Sequence, residues 1–349
     1  MLSLTFASCD ESNIDPISKV DPGQDVSAPT ITIASPTADV LIPFTETKTD
    51  FNFKFNVTDD IEIGSVEIFL DGTKLKTYDS FLDYRNLSDT YVKKDLGLGN
   101  HTFNVVAKDL SGKSTTKSFL FNLDNKYVPL AGEKLFMPVF SGNVFTNLVT
   151  GSSPTIVGTP TTSTAGRTGA AYQGATDSYL SFPIAGLFGT SELSVTFWYK
   201  VNASPDRSGI LVVGNPTALA INSDESRKYG FRLFREGSAT LQTIKANVGI
   251  GNGESWNDGG AITVANNSWV HIAFTISATE TKIYFDGVLK RTATLTSPLN
   301  LTGCSDLSIG SGDPTFTYWN HKADSSLYDE VRIFNKALTL SEIQTVMNQ

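Results

Sequence analysis

"SWVHIAFTISATETKIYFDGVLK", residues 268–290, is the stretch on which the fold turns. Val270, Ile272, Phe274 and Ile276 alternate with His271, Ala273 and Thr275, so the first half reads as a strand whose aliphatic face meets a core. Trp269 falls on the His271 side. The second half brings Ile283 and Phe285 to one face and then Asp286-Gly287, a pair whose tolerance of positive φ suits a tight hairpin.

Working outward, the same period recurs. In "ELSVTFWYKVN", residues 192–202, Leu193, Val195, Phe197, Tyr199 and Val201 share one face, and Ser194, Thr196, Trp198 and Lys200 the other. Both faces carry bulk, which predicts a strand covered on both sides. Residues 130–349 therefore read as a jelly-roll-sized antiparallel sandwich. Upstream, "FNFKFNV" alternates Phe51, Phe53, Phe55 and Val57 with Asn52, Lys54 and Asn56. "SVEIFLDGTKL" alternates Val66, Ile68 and Leu70 before Asp71-Gly72, and residues 99–123 repeat the device with Phe103, Val105, Ala107 and a Ser111-Gly112 turn. Strands at this spacing predict a second, smaller antiparallel sandwich.

Composition agrees with a β-rich, extracytoplasmic chain. Of 349 residues, 11% are aromatic and only 18% charged, and 28 Gly with 14 Pro mark frequent turns. The net charge of −9, with no Lys/Arg cluster, argues against nucleic acid or an anionic membrane as partner and favours a neutral one. The two cysteines lie far apart, at positions 9 and 304, and no structural disulfide is expected between them.

Four segments in residues 28–125, "PTITIASP", "VTDDIEIGSVEIFLDG", "LGNHTFNVVAKDLSGK" and "FLFNL", resemble the bacterial immunoglobulin-like modules that serve as spacers in surface proteins. Asp59, Asp60 and Asp109 are acidic turn residues here, for which solvation outweighs a calcium role. In order along residues 130–349, "GRTGAAYQGATDSYLSFP", "LSVTFWYKV", the opening stretch, "LSIGSG" and "LYDEVRIFNKALTLSEI" resemble the laminin-G-like, concanavalin A-type lectin/glucanase sandwiches. The fold class is thus all-β: an immunoglobulin-like β-sandwich, then a concanavalin A-like jelly roll with a short C-terminal helix. Thr339 and Glu342 form a capping-box pattern for that helix, and Ile343, Val346 and Met347 give it one apolar stripe.

The N-terminal "MLSLTFASCDES" resembles the end of a bacterial lipoprotein signal, in which cleavage before Cys9 leaves that residue to carry lipid. Residues 1–27 are then a signal remnant and flexible stalk. No later stretch reaches the roughly 20 apolar residues of a membrane helix, so the expected membrane contact is through lipid alone. This places the chain at the cell surface or outer membrane.

The resemblance also frames the chemistry. Glucanases of this type carry Glu-x-Asp-x-x-Glu on one strand, which aims two carboxylates at one bond. That motif is absent. Asp329-Glu330 and Asp224-Glu225 are neighbours, which on a strand face opposite ways. No Gly-x-Ser-x-Gly elbow accompanies the three His, and no His/Cys cluster has zinc spacing. The expectation is a non-catalytic carbohydrate binder requiring no cofactor. A lyase working through Tyr, His or Arg leaves no short motif and stays open, as does an adhesin recognising a protein.

A sugar binder supplies an aromatic platform and a few hydrogen-bonding groups. Trp198, Trp269 and His271 read as structural. The candidate contacts are Trp256, Asn257 and Asp258 in "GIGNGESWNDGGA", and Tyr318, Trp319 and His321 in "GDPTFTYWNHKADSS", because an aromatic residue in a Gly- or Asn-rich loop lacks an obvious core. Arg207, Arg232 and Arg235 are candidate donors for an acidic ligand. Relatives of this fold often hold a structural calcium near the last strand, which the resemblance assigns to Asp329. Proteins of this build resemble accessory lipoproteins that capture oligo- or polysaccharide beside an outer-membrane glycan transporter.

Overall fold

A computed structural model describes residues 23–140, 142, 144–189, 191–216 and 224–349, and the chain divides into two compact units between Tyr127 and Val128. Cys9 and most of the expected stalk lie outside the described residues. The chain is all-β as its alternation predicts, and among the described residues the α-helices are short, at Asp224–Arg227 and Leu340–Met347.

The first unit pairs a three-stranded sheet (Thr30–Ser35, Lys48–Thr58, Asn86–Gly97) with a five-stranded one running Val40–Leu41, Ser114–Asp124, Gly99–Asp109, Ile63–Leu70, Thr73–Tyr78. Phe53, Phe55 and Val57 bury against Val66, Ile68, Phe103, Val105 and Phe121. The Phe53 and Phe103 rings stack at 4.3 Å. Asp71 and Gly72 both take positive φ, 51° and 79°, as the tight hairpin demands. Asp59 accepts from the amides of Ile61 and Glu62, and Asp109 from Ser111 Oγ and the Lys113 amide, so both carboxylates brace turns.

The second unit is a sandwich of two larger sheets. One has seven strands in the order Thr155–Val157, Tyr179–Pro183, Asp306–Ile309, Arg207–Val213, Phe231–Gly237, Leu241–Gly249, Glu254–Thr263. The other has eight: Thr161–Ser163, Ala171–Gln173, Leu327–Phe334, Leu193–Lys200, Val270–Ile276, Glu280–Phe285 and Val288–Thr294, with Glu133–Met137 also on Leu327–Phe334. Leu193, Val195, Phe197, Tyr199, Ile272, Phe274 and Ile276 meet Leu211, Val213, Phe231, Leu233, Ile244 and Ala246 between the sheets. Burying an aliphatic or aromatic side chain of this kind contributes about 1.5–3 kcal/mol before entropy is charged against it.

The outer faces differ. The C-terminal helix closes the eight-stranded sheet, packing Ile343 and Val346 on Ala273, Tyr284, Phe334 and Leu338. Its capping box is formed: Thr339 Oγ1 accepts from the Glu342 amide, and the Glu342 carboxylate accepts from the Thr339 amide. Trp198 also lies on this outer face, not in the core, with the Arg167 guanidinium 4.6 Å from its ring and His271 5.3 Å away. Burial, then the Arg332 charge, push His271 down to about 4, so it is neutral. On the outer face of the seven-stranded sheet Val212, Phe234 and Phe316 form a small apolar cluster.

Candidate functional site

Alternation builds the site. In "FRLFREG", residues 231–237, Phe231 and Leu233 enter the core, so Arg232, Phe234 and Glu236 point outward. On the adjoining strand Ile244, Ala246 and Val248 enter the core, so Thr243 and Lys245 point outward. Register then sets Arg207 opposite Glu236, Glu236 opposite Thr243, Phe234 opposite Lys245, and Asn247 opposite Trp256. Arg207, Phe234, Glu236, Gly237, Thr243, Lys245 and Trp256, with Trp319 from the 318–320 turn, line a cleft of about 730 Å³, within the range of small-molecule sites.

Two indole rings wall it. Trp256 is 36% exposed and Trp319 49%, with ring centres 6.2 Å apart and planes inclined by 46°. Phe234 meets Trp256 edge-on at 6.0 Å. Behind them the Arg227 guanidinium lies 5.9 Å from one indole and 5.4 Å from the other, itself held by Asp224 and by Glu254 at 2.8 Å. A cation so placed orients both rings. Trp319 and Asn320 both take left-handed φ, 52° and 68°. For a residue as bulky as Trp that conformation costs about 1–3 kcal/mol and persists only where the surroundings dictate it.

The polar wall is charged. Lys245 donates to Glu236 Oε1 at 2.7 Å and lies 3.7 Å from Asp258, while His321 Nε2 stands 3.4 Å from Glu236 Oε2. Burial alone would raise the Glu236 carboxyl, but the Lys245 hydrogen bond and charge, with His321 and Arg207, outweigh it and hold Glu236 below the ordinary carboxylate range. Lys245 is held above its ordinary value, chiefly by the same hydrogen bond. Arg207 donates to the Trp319 carbonyl at 3.3 Å and keeps part of its guanidinium on the cleft.

The candidates from sequence scatter around this cleft. Trp256 and Trp319 line it, although Trp256 stands on the Glu254–Thr263 strand and not in a loop. Asp258 sits at the rim, 3.9 Å from Arg291. Asn257 turns inward instead, 2% exposed, donating to Thr281 and accepting from the Gly259 amide, so it braces the bulge at Asp258 and Gly259 that follows Trp256. His321 is fully buried beneath the surface, stacked on Phe316 at 5.0 Å and edge-on to Phe234 at 4.8 Å. The Tyr318 side chain lies outside the described residues. Of the three arginines, Arg207 reaches the cleft, while Arg232 and Arg235 are completely buried. Arg232 serves the carbonyls of Ser226 and Tyr229. Phe234, Glu236, Thr243 and Lys245 were not singled out from sequence; the outward half of "FRLFREG" is a signal for the first two, and Thr243 and Lys245 carry none.

Asp329 does not fit a calcium site. Its Oδ2 accepts from the amides of Arg167 and Thr168 and its Oδ1 from that of Glu330, so N–H donors surround it where calcium needs six to eight oxygens. Among the described residues no group of three or more His, Cys, Asp or Glu is placed to hold a metal ion.

Residues 29–120 match the bacterial Ig domain family model, and residues 174–344 match that of the concanavalin A-like lectin/glucanases superfamily. The chain carries a bacterial immunoglobulin domain followed by a concanavalin A-like domain. No curated protein matches the chain. Among solved structures, domain 4 of an extracellular arabinanase from Geobacillus stearothermophilus, in complex with arabinotriose, is similar to this chain at 20% identity over 62% of it and 98% of that one, TM-score 0.45. The binding domain of botulinum neurotoxin DC in complex with rat synaptotagmin II aligns at 13% identity, over 62% of this chain and 51% of its own, TM-score 0.43. The same toxin domain in complex with SialylT gives 12%, 62%, 51% and 0.44. The chain spans about half of each toxin chain.

Proposed function

We propose that the concanavalin A-like domain captures a glycan in the Trp256/Trp319 cleft without cleaving it. One observation carries this reading: two half-exposed indoles, buttressed by one buried arginine, face a polar wall of Arg207, Glu236, Thr243 and Lys245 across about 730 Å³. Sugar C–H faces stack on such rings, and sugar hydroxyls pair with such a wall. The carboxylate in the cleft supports binding over hydrolysis. A glycosidase acid needs a raised pKa, and Glu236 is held in the opposite direction by Lys245.

The same proposal extends to placement. With a lipid on Cys9, residues 10–27 form a polar tether, and the immunoglobulin-like domain then spaces the binding domain from the cell surface. Capture there serves uptake of polysaccharide through an outer-membrane transporter. The test is binding of the purified chain to a broad glycan and polysaccharide panel, with product analysis on every hit. Binding without products is expected. Released products make the domain an enzyme, and silence across the panel with capture of a protein makes it an adhesin.

A further inference from the structure

On the far side of the turn that carries Trp319 lies a second cavity of about 290 Å³. Asp177, Ser204, Asn320, Lys322 and Ser325 face it, and none of its lining residues is aromatic. Two short segments serve both cavities. Residues 204–207 put Ser204 into the second and Arg207 into the first. Residues 319–322 put Trp319 into the first, and Asn320 and Lys322 into the second. Two successive left-handed residues at 319 and 320 turn the chain sharply enough for neighbouring side chains to part in this way.

The second cavity is preformed. Arg235, fully buried, donates to the Pro205 carbonyl at 2.7 Å with one nitrogen and to Asp324 Oδ1 at 2.8 Å with another. One guanidinium thus ties together the two segments that form the walls. Asp324 is fixed further by the hydroxyls of Tyr199, at 2.6 Å, and Ser326, at 2.8 Å. The Lys322 carbonyl accepts from the Gly209 amide at 3.1 Å, which pins the turn to the sheet. Walls held by buried charge-assisted bonds keep their spacing with or without a ligand.

We propose that this polar cavity is a second subsite of the same site, taking the sugar unit that flanks the one stacked on Trp319. The ligand is then an oligosaccharide chain crossing the 319–322 turn, and the inference rests on the glycan reading above. With no ring to stack on, the subsite holds its unit by hydrogen bonds alone. Asp177 and Lys322 offer one acceptor charge and one donor charge, and Ser204, Ser325 and Asn320 offer both roles, which suits a neutral, hydroxyl-rich unit.

Ladders of cello-, xylo-, manno- and arabino-oligosaccharides, one to six units long, test it by calorimetric titration. The wild-type chain is compared with the double variant Asn320→Gly/Lys322→Ala. Glycine accepts the positive φ at 320 without strain, and Lys322 is exposed, so the turn keeps its course. Long oligomers of the ladder that binds should exceed short ones by about 3- to 10-fold in the wild type, the worth of one or two hydrogen bonds. The variant should bind short oligomers as well as the wild type and lose the gain with length. A gain that survives in the variant, or no gain in the wild type, overturns the subsite. Equal loss at every length overturns it too, since the turn would then act only through Trp319. Failure of every ladder to bind overturns the glycan reading and this inference with it.

Discussion

Asp324→Ala should unfold the concanavalin A-like domain far more readily while leaving the immunoglobulin-like domain untouched. The Asp324 carboxylate is 0% exposed and accepts from Tyr199 Oη at 2.6 Å, Tyr328 Oη at 2.5 Å, Ser326 Oγ at 2.8 Å and Arg235 Nη2 at 2.8 Å. Its removal leaves a buried guanidinium with the Pro205 carbonyl and Gln242 Oε1, takes the acceptor from the Tyr328 phenol, and leaves Tyr199 Oη with Ser326 Oγ at 2.9 Å. Breaking one side of a buried ion pair costs about 3–5 kcal/mol. An orphaned hydroxyl adds about 1–3 kcal/mol, but the four donors converge on one group and their costs overlap. A total of about 5 kcal/mol follows, and at roughly 2–4 °C per kcal/mol for a unit of this size the melting temperature falls by about 10–20 °C. Differential scanning calorimetry of the full chain reads both units, and the transition of residues 128–349 should drop alone. Asp324→Asn, which keeps the volume and one acceptor oxygen, should fall less. A shift below about 3 °C in Asp324→Ala would refute the reasoning, because Arg235 would then be neutralised by something other than this carboxylate.

Three further outcomes follow from other parts of the sandwich. Burial pushes Asp329 from an ordinary 3.8 up to about 6 in spite of the amides of Thr168, Glu330 and Arg167, so the folded chain holds a proton there that the unfolded chain has lost. Its contribution is therefore fully present below about pH 4 and lost as pH rises through about 6; urea midpoints at pH 5 and 7.5 should show a smaller difference in Asp329→Asn than in the wild type. Thr339→Ala removes the cap of the C-terminal helix and should cost about 1 kcal/mol in a urea titration, with glycan binding unchanged. Gly259 has φ 44°, and a Cβ there would stand 1.9 Å from the Ile244 carbonyl oxygen, so Gly259→Ala should cost about 1–3 kcal/mol and also weaken binding by displacing Trp256.

Sequence carried the fold because its decisive signals are local. Asp286-Gly287 reads as a hairpin from two residues, and both take positive φ, 49° and 70°. Thr339 and Glu342 announce a helix start from four. Period-two alternation placed Phe53, Phe55, Ile272 and Phe274 in their cores, all at most 2% exposed. The cleft was legible only where one residue signals alone. Trp256 and Trp319 stood out as large rings in polar company, but the wall facing them comes from three strands whose adjacency depends on sheet order. Nothing local in "LQTIKANVG" says that Lys245 will meet Glu236. Arg235 misleads for the same reason: its alternation with Phe234 and Glu236 places it inward, where only a distant carboxylate, Asp324, makes a buried guanidinium tolerable. Asn257, polar and beside Trp256, faces inward by simple alternation opposite the core-facing Ala246, which a reading of the segment as a loop could not show.

If the paired indoles make this cleft a glycan site, a single titration series shows it. The best-bound panel glycan is titrated calorimetrically into the wild-type chain, Trp256→Ala and Trp319→Ala, each first shown to melt as the wild type does. Loss of an aromatic contact at the centre of a site costs at least about 2 kcal/mol, so affinity should fall by roughly 30-fold or more in each variant, with no product formed. Wild-type affinity in both variants would place the glycan elsewhere and contradict the account.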